Sequence, residues 1–237
     1  MPHYLFNNLN NQITTMTTLV NLLQHKGNFI NGITTNDNLK RRITDLLITS
    51  TIAFAAYGFI IGLQQGILQA MAGMVKLPML YLLTLMICLP TYFIFDSFLG
   101  SKSNILQTVA LALTGITITS ILLVGFAPVT LFFLLTMNNY VAFKLLNVLF
   151  FAISGFIGAR QLYVLLLGEL EEGNGKNFVR RKKLLRLWLL LYAFVGTQMA
   201  WTLRPFFGVQ EGKFIFFQEI RGNFYTNLLH NLIEIFK

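Results

Sequence analysis

Residues 184–203 form an unbroken run rich in Leu, Ala, Val, Trp and Tyr, entered directly from Arg180-Arg181-Lys182-Lys183. Arg186, near its start, is its only charge. Four more apolar runs precede it, at residues 44–63, 77–99, 105–126 and 141–167. A helix needs about 20 apolar residues to cross a hydrocarbon layer of ~30 Å, and each run reaches that length. The pattern predicts an all-α, polytopic transmembrane helix bundle of about five spans. Residues 1–43 read as a polar cytoplasmic segment, 44–203 as the bundle and 204–237 as an aromatic tail on the outer face.

Composition supports the same class. Of 237 residues 55% are hydrophobic and 11% charged, whereas a soluble domain carries about 25% charged residues. Surface-to-volume scaling leaves a water-soluble chain of this size no way to hide so much apolar surface. The formal charge of +9 raises nucleic acid as a partner, but its distribution argues against one. Basic residues flank the apolar runs instead of lining one face between aromatics, as insertion topology requires. Anionic lipid is the partner this pattern fits.

Five spans with a cytoplasmic N-terminus put Lys26, Lys40, Arg41, Arg42, Lys102, Arg160, Lys176, Arg180, Arg181, Lys182, Lys183 and Arg186 on one side. Lys76, Lys144, Arg204, Lys213, Arg221 and Lys237 fall on the other. Twelve against six, with both dense clusters together, makes the first side cytoplasmic, or stromal in a thylakoid. The expected location is a bacterial inner membrane or a thylakoid membrane, with the C-terminus opposite. Ala127-Pro128 is read as ending or kinking the third span, and the apolar stretch that follows as a kinked continuation or interfacial segment. Residues 1–37 have no signal-peptide core, so the first span is expected to be an uncleaved anchor.

Gly58, Gly62, Gly66 and Ala70 recur at four-residue steps, which on a single helix makes one smooth face for close packing. Either a second copy or a neighbouring span can occupy that face. Gln64, Gln65 and Gln69 beside it are expected at the outer interface, satisfied by water. Ser154 and Gly158 offer a second small-residue contact in the fourth span. Pro90 is expected to kink the second span. Asp96, near the inner end of that span, is expected to pair with Lys102 or Arg160, and its alternative role is a proton or cation relay. Thr108, Thr114, Thr117 and Thr119 can bond carbonyls of their own helix. Lys40, Arg41, Arg42, Arg180, Arg181, Lys182 and Lys183 are expected to face anionic headgroups. Trp201, Arg204, Phe206, Phe207, Phe214, Phe216 and Phe217 form the expected partner surface. Amphipathic helices are expected over residues 12–25 and 228–236, lying on the inner and outer surfaces.

Sites for chemistry are not apparent. His3, His25 and His230 lie outside the apolar runs, so no pair of intramembrane histidines is available to a haem. Cys88, the single cysteine, reads as a small buried hydrophobe. Metalloprotease, nucleophile-elbow and phosphate-loop spacings are missing, and Asp96 lacks an intramembrane carboxylate partner. The expectation is therefore no catalytic, cofactor-binding or metal-binding residues, and a non-enzymatic protein.

Five closely spaced spans with an outward C-terminus resemble the Yip/Yif-type five-span membrane proteins, over roughly residues 39–203. The short Asp-Leu-Tyr-Gly-Pro motif of eukaryotic members has no counterpart here, and no functional residue carries over. Leu22-Leu23-Gln24-His25-Lys26-Gly27-Asn28-Phe29, running to Leu39-Lys40-Arg41-Arg42, together with the stretch from Trp201 to Gly208, resembles uncharacterised bacterial and cyanobacterial integral membrane proteins. Some of these carry a WASP-homology-2 actin-binding label, matched here by Leu39-Lys40-Arg41 alone. The expected function is a scaffold or accessory subunit of a membrane complex, assembling with other membrane proteins or itself. A small-molecule or ion transporter is the alternative, suggested by Pro90, Asp96 and the threonine-rich third span.

Overall fold

The structure, a computed structural model, describes residues 38–100, 104–136, 140–172, 178–207 and 216–217. The amphipathic helices expected over 12–25 and 228–236 lie outside them, as do Lys102 and Phe214. Among the described residues the fold consists of five long helices: α1 (Leu39–Gly62), α2 (Ile67–Phe98), α3 (Ile105–Thr136), α4 (Tyr140–Glu172) and α5 (Phe178–Thr202). All five are long and apolar enough to cross a bilayer, and the chain is a membrane-embedded helical bundle.

Several helix ends have a local cause. A short 3-10 turn, Leu63–Gln65, follows α1, and Gly66 then reverses the chain at φ 104°, a backbone angle that glycine adopts without penalty. Gly100, at φ 89°, ends α2 and donates its N–H to the Ser97 carbonyl at 3.0 Å. Asn104 and Gln107 form a reciprocal cap on α3. Gln107 Oε1 accepts the Asn104 N–H at 2.9 Å, and Asn104 Oδ1 accepts that of Leu106 at 3.4 Å.

One boundary differs from the sequence reading. α2 begins at Ile67, not at residue 77, because Lys76 interrupts the apolar run without interrupting the helix. α3 continues through Pro128 to Thr136 as one helix, so of the two readings of the stretch after that proline the continuation holds and the separate interfacial segment does not. α2 likewise contains both Pro78 and Pro90.

The helices close into a ring in the order α1, α2, α5, α4, α3. Contacts fix their directions. Gly58 meets Gly73 and Gly62 meets Ala70, so α1 and α2 run antiparallel. Asp96 meets Arg181 and Cys88 meets Trp188, so α2 and α5 do too. Thr119 lies at Gly158 and Thr130 at Asn147, which sets α3 against α4. One end of the bundle, labelled inner, therefore carries the starts of α1, α3 and α5, and the opposite end is labelled outer. The core includes Phe54, Tyr57, Leu77, Tyr92, Leu111, Leu113, Phe143 and Trp188, all essentially inaccessible.

The glycine strip is thus not a face of one helix. Gly58 and Gly62 belong to α1, Gly66 is the turn, and Ala70 faces back from α2. A four-residue spacing read through a reversal reports two facing surfaces. Gly158 packs on Thr119 of α3, not on the α1 glycines, and Ser154 is fully buried.

Candidate functional site

Polar side chains gather at three levels of the bundle. At the inner end, Arg181 grips Asp96 with two parallel bonds, Nε to Oδ1 at 2.8 Å and Nη2 to Oδ2 at 2.9 Å. Both residues are buried, at 7% and 5% exposure. This corrects two expectations. Asp96 pairs with Arg181 and not with Arg160, which is exposed on α4, while Lys102 lies outside the described residues. Arg181 does not face lipid headgroups, because the helix turn that exposes Arg180 and Lys183 directs Arg181 inward. Lys40 and Arg41 are exposed, and Arg42 and Lys182 are half-buried.

At the level of the outer half, Tyr57, Thr130 and Asn147 join α1, α3 and α4. The Tyr57 hydroxyl donates to Asn147 Oδ1 at 2.8 Å and lies 3.2 Å from Thr130 Oγ1. Asn147 Nδ2 donates to the Phe143 carbonyl at 2.9 Å. Meanwhile Thr108, Thr114, Thr117 and Thr119 donate to carbonyls four residues back in sequence, as their spacing predicts.

At the outer end, the chain after α5 folds back over the bundle. Gln69 donates to the Pro205 carbonyl at 2.9 Å, and the Lys76 ammonium donates to it at 3.2 Å and to the Phe216 carbonyl. The same ammonium sits 4.7 Å from the Phe216 ring and 5.1 Å from that of Phe217. Carbonyl dipoles and aromatic faces supply the partial negative charge a buried cation needs. Gln69 is therefore a buried clamp and not a water-satisfied interfacial residue. Phe207 is also buried, against Phe143, so the expected aromatic partner surface is in part an internal cap. Phe216 and Phe217 remain partly exposed. Arg204 stacks on Trp201, its Cζ 3.3 Å from the ring centroid. Partial burial lowers the Arg204 pKa from its ordinary value, yet the guanidinium stays charged at neutral pH.

Lys76 and Asp96 stand on one helix 20 residues apart, or about 30 Å at 1.5 Å per residue, the thickness of the hydrocarbon layer. Charge thus brackets the apolar part of α2, while the helix continues outward to Ile67. Sequence reasoning counted Lys76 on the outer side, just before the second apolar run, and gave it no role. Its distance from Asp96 is the signal that identifies it. Tyr57 and Thr130 carry no such signal.

A cavity of about 560 Å³ lies between α2, α3, α4 and α5, reaching Phe206 and Phe207 at its outer end. Among the described residues no cluster of His, Cys, Asp and Glu could hold a metal ion. Cys88 is buried, as its position in the run implies. No family model matches this chain, and neither a curated protein nor a solved structure matches it.

Proposed function

We propose that this protein is a non-enzymatic scaffold or accessory subunit of a membrane complex, of the architectural type that the Yip/Yif resemblance suggests. The observation that carries the reading is the use made of Asp96. Its two carboxylate oxygens are committed to one buried guanidinium, which suits a staple between α2 and α5. A relay needs a carboxylate that can exchange partners and meet water. The Tyr57–Asn147–Thr130 cluster and the Lys76 clamp also spend their polar groups on joining segments. Preformed rigidity of this kind favours assembly because less freedom is lost on binding.

The orientation proposed is the end carrying Lys40, Arg41, Arg180 and Lys183 toward the cytoplasm or stroma, in contact with anionic lipid. A bacterial inner membrane or a thylakoid membrane fits that bias. Other membrane proteins, or a second copy of the chain, are the proposed partners.

Extraction of the full chain in a mild detergent, followed by quantitative analysis of what co-purifies, tests this reading. The expected result is a membrane protein recovered in fixed stoichiometry with the chain, or a defined homo-oligomer. A strictly monomeric, partner-free protein contradicts it.

A further inference from the structure

We propose that the cavity between α2, α3, α4 and α5 binds one lipophilic small molecule, rich in hydrocarbon and bearing an oxygen that accepts a hydrogen bond, taken from the bilayer. This goes beyond the scaffold reading and does not depend on it. The volume of about 560 Å³ falls within the roughly 300–1,000 Å³ of small-molecule sites. The walls are leucine, isoleucine, phenylalanine, alanine and glycine, with few polar groups. Of those, Thr84, Thr119 and Thr197 already donate to carbonyls of their own helices. Tyr81 and Tyr192 are the remaining hydroxyls in the lining. The Tyr192 hydroxyl is buried and has no hydrogen-bond partner among the described residues. A phenol buried in that way calls for an acceptor.

Access is from the side. Val148 and Phe156 line the cavity and are 49% and 73% exposed on α4, so their surroundings are acyl chains. Small residues create the space: a Cβ on Gly155 would meet nothing within 4 Å, and one on Gly196 would meet Thr84 Cγ2 at 3.7 Å.

The α4 lining extends from Val148 to Leu162, about 21 Å of helix, and a volume of about 560 Å³ along that length suits a single chain or a flat ring system. Depth distinguishes two sources of such a chain. Tyr192 lies ten residues before the end of α5, about 15 Å from the outer end. The ester oxygens of a phospholipid stay at the interface, whereas a free lipophilic ketone can carry its oxygen to mid-depth.

The test uses the full-length protein in phosphatidylcholine/phosphatidylglycerol nanodiscs. Two photoactivatable probes are compared: a diazirine-bearing long-chain ketone, and a phosphatidylcholine with the diazirine in its acyl chain. Labelled positions are read by peptide mass spectrometry. The ketone is expected to label α4 and α5 cavity residues saturably and to be competed by unlabelled ketone. Gly155→Leu and Gly196→Leu each fill the space and should lower labelling at least tenfold, with helix content unchanged. Tyr192→Phe should weaken ketone labelling several-fold. Gly125→Leu also has open room for a side chain but lies outside the cavity, so it should leave labelling unchanged. Non-saturable labelling spread over the lipid-facing surface overturns the proposal, as does full labelling of both filled variants. Equal labelling by the phospholipid, with no effect of Tyr192→Phe, also overturns it and assigns the space to ordinary lipid chains.

Discussion

Replacing Arg181 with Ala is expected to destabilise the bundle by about 3–5 kcal/mol, because it strands a buried carboxylate with its partner removed. Asp96 is 5% exposed, so water cannot take over the two bonds that Arg181 makes. The loss should appear as an early unfolding transition in denaturing detergent, followed by tryptophan fluorescence. Trp188 reports directly, since its indole N–H bonds the Cys88 carbonyl of α2 at 2.8 Å across the same α2–α5 contact. The informative variant is the double one. Asp96→Leu with Arg181→Met removes both charges at similar volume, and such apolar replacements are commonly neutral or stabilising. The double variant should therefore recover most of the stability lost in Arg181→Ala. If it stays as unstable as the single variant, the pair is more than a staple, and the relay reading gains ground.

The second large effect concerns the α1–α2 hairpin. Gly58→Leu and Gly62→Leu are expected to prevent the two helices from docking and to shift the protein into aggregates on detergent extraction. The reason is steric and local. A Cβ at Gly58 would lie 2.8 Å from the Gly73 carbonyl carbon, and one at Gly62 would lie 2.6 Å from Ala70 Cα. These are backbone atoms, which cannot rotate away, so the cost should reach or exceed the ~3 kcal/mol upper end of ordinary overpacking. Gly66→Ala makes the contrast. Its Cβ would meet nothing within 4 Å, leaving about 1–3 kcal/mol for a backbone at φ 104° and ψ 174°, a region essentially reserved to glycine. Size-exclusion profiles and thermal midpoints should rank Gly58→Leu and Gly62→Leu well below Gly66→Ala. Equal behaviour of the three would contradict the hairpin contact.

The number and class of helices were legible because hydrophobic length is a property of each segment by itself. The threonine reading held for the same reason: a hydroxyl bonding four residues back needs no knowledge of neighbours. Partners across helices were not legible. For Asp96 the sequence offered Lys102 and Arg160 as partners and assigned Arg181 to headgroups, and only the rotation of α5 turns Arg181 inward to the carboxylate. Lys76 looked like a boundary because hydropathy treats a charge as the end of a span. The helix continues beyond it, and the returning tail supplies carbonyls and rings. The glycine strip misled through register, since a spacing of four means one face only while the chain stays helical. Gly66 breaks that condition. The cavity left no trace in the sequence, because it arises from four helices meeting around small residues.

The central claim is that five rods cross the bilayer in alternation, with the starts of α1, α3 and α5 on the cytoplasmic side. Thiol accessibility tests it most directly, in a Cys88→Ser background that removes the single native cysteine. Lys40→Cys and Lys183→Cys mark one end, Leu68→Cys and Thr202→Cys the other, all at exposed positions. With a membrane-impermeant maleimide on sealed, right-side-out spheroplasts, Leu68→Cys and Thr202→Cys are predicted to react at once. Lys40→Cys and Lys183→Cys should react only after permeabilisation. Reaction of Lys40→Cys and Leu68→Cys from the same side would contradict the account.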